Sequence, residues 1–249
     1  MRQFIGLSTF HLKLFAKNSY FFWLMITSTI SLLFLQYLAA YAGNSLSDPY
    51  LWRRAAIFGL WSCGTTACGS IGFERAQGTL LYLLNNRVSD RVSLAAVIVP
   101  AASFGLLCFP LAFGVGSLLQ LNKTISSVWQ LLFWMGALWI GAMILDFAIA
   151  GLFVLTPRAL VYEEIVTLPL LFGSGLFQLP PTLQWIEQLE RWVVPIASPI
   201  QALTGQPSYQ TFVLPYAVSL LGWSAISYYL STTLINQAKR KGRLGGIGL

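Results

Sequence analysis

Few residues in this 249-residue chain could do chemistry. There is one histidine, His11, and three cysteines, Cys63, Cys68 and Cys108, which show no CxxC or Cys/His ligand spacing. A His-based metal site or catalytic triad is therefore not expected, and the cysteines read as small buried hydrophobes. Asp146, Glu163 and Glu164 stand within or beside long apolar stretches, where an ionisable group is costly and so a functional candidate. They are expected either to line an inner vestibule or to form interfacial ion pairs near Arg158. No acid, base and nucleophile come together, so no enzymatic role is predicted. No G-x-x-x-x-G-K-[ST] sequence is present, so the chain has no phosphate-cradling loop with its lysine.

One polar run is more ordered. From Phe73 to Ser89 the chain reads Phe-Glu-Arg-Ala-Gln-Gly-Thr-Leu-Leu-Tyr-Leu-Leu-Asn-Asn-Arg-Val-Ser. Leu80, Leu83 and Leu84 fall at i, i+3 and i+4, which predicts a short helix with an apolar edge that its own loop cannot bury. Such an edge suits docking in the groove of a soluble partner. Glu74 and Arg75 are placed to fix its start.

The surrounding composition explains why this run stands out. Hydrophobic residues make up 56% of the chain and charged ones 9%, against about 25% charged in an ordinary soluble domain. The net charge of +7 does not indicate nucleic acid, because the basic residues are spread between apolar stretches rather than gathered on one face. Six spans are expected, near Tyr20 to Tyr41, Arg54 to Phe73, Ser93 to Leu118, Val128 to Val154, Leu160 to Leu179 and Thr211 to Ile235. No cleavable signal is expected ahead of the first, since Arg2 to Asn18 is mixed in polarity.

Orientation follows from charge. With both termini cytoplasmic, Arg2, Lys13, Lys17, Arg75, Arg87, Arg91, Arg158, Lys239, Arg240, Lys241 and Arg243 lie inside, eleven of the fifteen basic residues. Arg53, Arg54, Lys123 and Arg191 remain outside, the first two expected to snorkel from a span end. Residues 1–19 are predicted to hold an amphipathic interfacial helix, with Phe4, Leu7, Leu14 and Phe15 opposite Thr9, Lys13 and Lys17. Residues 178–210 are too long for a hairpin and too short to span twice. Pro181 and Pro195 each start a short helix there, dipping into the outer leaflet so that Trp185, Ile186, Leu189, Trp192 and Val193 find burial. Residues 236–249 form a cytoplasmic tail. Gly64, Cys68 and Gly72 make a small-residue ladder for close helix packing, within the chain or at a dimer seam, whereas Ala137 and Gly141 give only a single such pair. Trp52, Trp129, Trp185, Trp192, Tyr209 and Tyr216 read as an interface belt.

The Phe73 to Ser89 run resembles the signature of the ABC-2 family of permeases, approximately E-R-x-x-G-T-L-x-x-L-L, two residues, then P-V-S. Glu74, Arg75, Gly78, Thr79, Leu80, Leu83, Leu84, Val88 and Ser89 match in order and spacing; Arg87 replaces the proline and Leu81 a common glutamate. Leu179-Pro-Pro-Thr-Leu-Gln-Trp-Ile and Pro195-Ile-Ala-Ser-Pro-Ile-Gln-Ala-Leu203 resemble the family's paired outer helices. The resemblance implies one all-α membrane domain over residues 1–249, in the cytoplasmic membrane, with a coupling helix in residues 73–91. It further implies a dimer with itself or a related permease, resting on two cytoplasmic ABC ATPase subunits that carry ATP and Mg, and no cofactor in this chain. The cargo implied is amphipathic: a drug, an antimicrobial peptide or a lipid-linked molecule. Polysaccharide export, or an ATPase-independent channel or binding protein, are the alternatives.

Overall fold

The computed structural model describes residues 2–84, 89–125, 127–156, 159–177, 183–205 and 209–240, and every regular element among them is helical. The helices are α1 (Arg2–Lys17), α2 (Ser19–Ala42), α3 (Leu51–Ala76), α4 (Leu80–Leu84), α5 (Asp90–Ser103), α6 (Cys108–Leu118), α7 (Val128–Leu155), α8 (Ala159–Phe172), α9 (Gln184–Val193), α10 (Ala197–Leu203) and α11 (Tyr209–Arg240). A 3-10 turn, Phe104–Leu107, joins α5 to α6. Four helical stretches are long and apolar enough to cross a membrane: Ser19–Ala42, Asp90–Leu118, Val128–Leu155 and Thr211–Arg240. They mark the chain as a membrane protein.

Two of the six expected spans are not of this kind. The second corresponds to α3, whose apolar run is interrupted by Ser62, Thr65, Thr66 and Ser70. The fifth, Leu160 to Leu179, is helical only as far as Phe172. At about 1.5 Å per residue its 14 residues reach about 21 Å, short of a hydrocarbon core of about 30 Å. Pro169 lies in its last turns, and a turn through Gly175, at φ +74°, follows.

The modest hydropathy of α3 has a structural reason. It is the central helix, packed against α2, α5, α6, α7 and α8, and its Ala55, Ala56, Leu60, Cys63, Ala67, Cys68 and Ile71 are buried by protein. A helix sheathed by other helices needs small residues more than greasy ones. Gly64 illustrates this, since a Cβ there would fall 2.4 Å from Asp146 Oδ2 on α7. The Cys68 thiol donates to the Asp146 main-chain oxygen at 3.0 Å. Two rungs of the small-residue ladder therefore seat α7 within the chain. The break between α5 and α6 has a comparable origin. Pro110 removes one helical hydrogen bond and crowds the preceding turn, and Gly105 lets the backbone approach α3, where a Cβ would lie 2.9 Å from Leu60 Cα.

Side chains group into a core at each end of α3. One gathers Trp52, Trp134, Ile200 and Phe212 beside α9 and α10. The other gathers Phe15, Phe21, Ile71, Leu80, Leu84, Leu94 and Ile235 beside α1 and α4. Outside them, α2 and α11 expose large apolar residues, among them Trp23, Leu35, Leu38, Leu214 and Leu221, as lipid-facing helices do.

Arg53 departs from its expected snorkelling. It is buried, donates to the carbonyls of Leu203 at 3.1 Å and Thr124 at 2.6 Å, and lies over the rings of Tyr50 and Trp52. Main-chain oxygens and aromatic faces there meet much of the guanidinium. Trp52 is likewise buried rather than part of an interface belt. Arg54 pairs with Asp48 at 2.9 Å.

Candidate functional site

The Glu74 to Leu84 run folds as a helix stop followed at once by a new helix. Gly78 adopts φ +75°, a left-handed conformation that costs a residue with a Cβ. Its amide donates to Arg75 O at 2.9 Å, and the Thr79 amide donates to Glu74 O at 2.9 Å. This pair of bonds is the Schellman arrangement, which satisfies carbonyls left open at a helix end. The Thr79 hydroxyl also donates to Glu74 O at 2.9 Å and to the Glu74 carboxylate. Thr79 O then accepts from Leu83 N at 3.0 Å, so α4 grows directly out of the clamp. The spacing E-R-x-x-G-T is thus a local folding instruction in which each matched residue has a mechanical task.

Arg75 extends the clamp to another helix. Its guanidinium is buried and donates to the main-chain oxygens of Val154 and Thr156. These carbonyls close α7, where a cation complements the negative helix end. The end of α3 is therefore fastened to the end of α7 on one side and to α4 on the other.

The leucine edge of α4 faces differently from the expectation. Leu80 and Leu84 are wholly buried and Leu83 is packed against the same core, made with Phe15, Phe21, Ile71 and Leu94. The chain does bury this edge, packing α4 against α3 and α5. What α4 presents outward is Leu81, 41% exposed, and Tyr82, 78% exposed. No periodicity singled these out, since they occupy the face that a core-directed helical pattern leaves over. Arg87 and Val88 lie outside the described residues; Ser89 caps the start of α5.

Of the three acidic candidates only Asp146 has a described side chain, fully buried on α7 against Gly64. Glu163 and Glu164 stand on α8, but their side chains, like Arg158, lie outside what is described. Among the described residues no cluster of three or more His, Cys, Asp or Glu side chains could hold a metal.

At the other end of α3 the two short helices expected in residues 178–210 are present as α9 and α10. Arg191 donates to Gln201, and Gln201 Nε2 donates to Glu187 O at 3.3 Å, tying α9 to α10. Trp223 Nε1 on α11 donates to Val193 O at 2.6 Å. Glu190 is buried. Trp185, Leu189, Trp192 and Val193 remain exposed on one face of α9, so the burial expected for them does not come from this chain. The chain matches no family model, no curated protein and no solved structure.

Proposed function

We propose that this chain is the membrane-spanning permease subunit of an ATP-driven exporter of the ABC-2 kind, with α4 as the helix that receives a cytoplasmic ATPase. The observation that carries this reading is the clamp joining α3, α4 and α7. Its outward face offers Leu81 and Tyr82, and its inward fastenings, Thr79 to Glu74 and Arg75 to α7, would pass a push on α4 to two long helices at once.

In this reading α2, α3, the α5–α6 path, α7, α8 and α11 are six passes and α9 and α10 are outer-leaflet helices before the last, with both termini and α4 in the cytoplasm of a multi-pass inner or plasma membrane protein. A second permease, identical or related, covers the half-exposed edge of α3 that runs through Arg54, Phe58 and Ser62. That edge is too polar for lipid and suits a seam through which cargo moves. Hydrolysis of ATP with Mg belongs to the ATPase, and the cargo is amphipathic. The test is reconstitution of the chain in proteoliposomes with its candidate ATPase. Uptake of an amphipathic dye is expected to need the ATPase, ATP and Mg together; equal uptake by the chain alone would instead identify an ATPase-independent channel.

A further inference from the structure

Beside the clamp, α1 and the start of α2 stand off from the cytoplasmic half of α3 and leave an open cleft of about 420 Å³, within the range of about 300–1,000 Å³ typical of small-molecule sites. Its two walls are chemically opposite. Leu14, Phe15 and Phe21 supply an apolar wall, while Thr66, Ser70 and Glu74 along one face of α3, with Gln77 just past its end, supply a polar one. Tyr20 and Leu14 are about half exposed, which opens the apolar wall to the surface.

The polar wall is rich in acceptors. Ser70 Oγ donates back to Ala67 O at 2.6 Å, so only its lone pairs are left for a ligand. Glu74 brings a carboxylate that receives the Thr79 hydroxyl and, among the described residues, joins no ion pair. Among the described residues no lysine or arginine lines the cleft; Arg75, next in the chain, spends two guanidinium nitrogens on α7 carbonyls. His11 is close enough to feel Glu74, yet burial holds its imidazole below the ordinary range and hence neutral at pH 7.

We propose that this cleft binds a cationic amphiphile, its ammonium head on Glu74 and Ser70 and its tail along Leu14, Phe15 and Phe21. A cation with hydrogen-bond donors satisfies the acceptor wall, and a tail running out past Tyr20 stays in contact with lipid. An anionic amphiphile would meet a carboxylate without a compensating cation. As a loading site for exported cargo the cleft rests on the exporter reading; binding itself does not.

The experiment uses the full chain in nanodiscs without any ATPase. A dodecylammonium carrying a diazirine is photolysed and the labelled peptides are identified. Labelling is expected between Leu14 and Phe21, displaced by unlabelled dodecylammonium but not by dodecyl sulfate. Glu74→Gln is expected to weaken labelling by about tenfold, the scale of one charged hydrogen bond, while leaving a diazirine dodecanol unaffected. Thr66→Trp, which fills the cleft, is expected to remove both, so the result does not hang on one variant. Equal displacement by dodecyl sulfate, or labelling unchanged in both variants, would overturn the proposal. Because no ATPase is present, failure here leaves the exporter reading standing, and failure of ATPase association leaves the cleft standing.

Discussion

Thr79 holds Glu74 O with both its amide and its hydroxyl, each at 2.9 Å. The main chain between them reverses at Gly78, so the last turn of α3 and the first turn of α4 move as one piece. With Arg75 bound to the end of α7, a sideways force on α4 reaches two helices without crossing a flexible linker.

Gly78→Ala isolates the backbone part of this clamp. A Cβ at Gly78 would meet no atom within 4 Å, so its cost is the left-handed φ alone, about 1–2 kcal/mol. Thermal unfolding of the purified chain should show that loss, with Gly78→Asn losing less. Unchanged stability in Gly78→Ala would mean that the turn is not held as described.

Leu84 and Tyr82 separate folding from docking. Leu84 is wholly buried, so Leu84→Asp places a carboxylate in an apolar core at a cost of several kcal/mol. It should abolish monodisperse protein in size-exclusion chromatography. Tyr82→Ala, at a largely exposed position, should leave that profile intact and weaken ATPase retention. The reverse pattern would place the docking surface elsewhere.

Arg75→Gln keeps some hydrogen bonding but removes the charge from the end of α7. The main-chain carbonyls of Val154, which is buried, and Thr156 lose their charged donor, a loss of about 1–3 kcal/mol. Denaturation in mild detergent should show it, with Arg75→Lys intermediate. A stability equal to the parent protein's would show that Arg75 does not fasten α3 to α7.

These residues also show what was legible. Periodicity located α1, α2, α7, α11 and the short α9 and α10, since each is long or is bounded by proline and Gly. Of the clamp, only the part of Glu74 and Arg75 at the start of α4 was read; Gly78 and Thr79 stood out as motif matches without a mechanical role, and the bonds of Arg75 to α7 go to main-chain oxygens. The inward turn of Leu80 and Leu84 was not legible, because an apolar edge in sequence does not say whether its cover is the same chain or another. Arg53 was missed for a different reason. Its partners are the carbonyls of Thr124 and Leu203, and a main-chain oxygen leaves no mark on residue type. The fifth span was overestimated because the apolar run through Leu179 continues past the point where Pro169 and Gly175 end the helix.

Acid should loosen α1. Burial holds His11 below its ordinary value of 6.5, with Glu74 pulling the other way. The docked helix therefore binds fewer protons than the released one, and its docking weakens as the pH falls below 6.5. Hydrogen exchange of Phe4 to Lys17, corrected for intrinsic rate, should be faster at about pH 5.5 than at about pH 7.5. His11→Phe should remove the difference. Equal protection at both pH values in the parent protein would contradict the assignment.

The central claim is that α4 touches an ATPase through its outward face, and a photoreactive amino acid at Tyr82 tests it most directly. The account predicts that irradiated membranes yield an adduct between this chain and a P-loop ATPase. It further predicts that the same probe at wholly buried Leu80 yields none, and that the purified adduct hydrolyses ATP. A Tyr82 probe that reacts only with lipid or solvent, in membranes where the chain exports its cargo, would contradict the account.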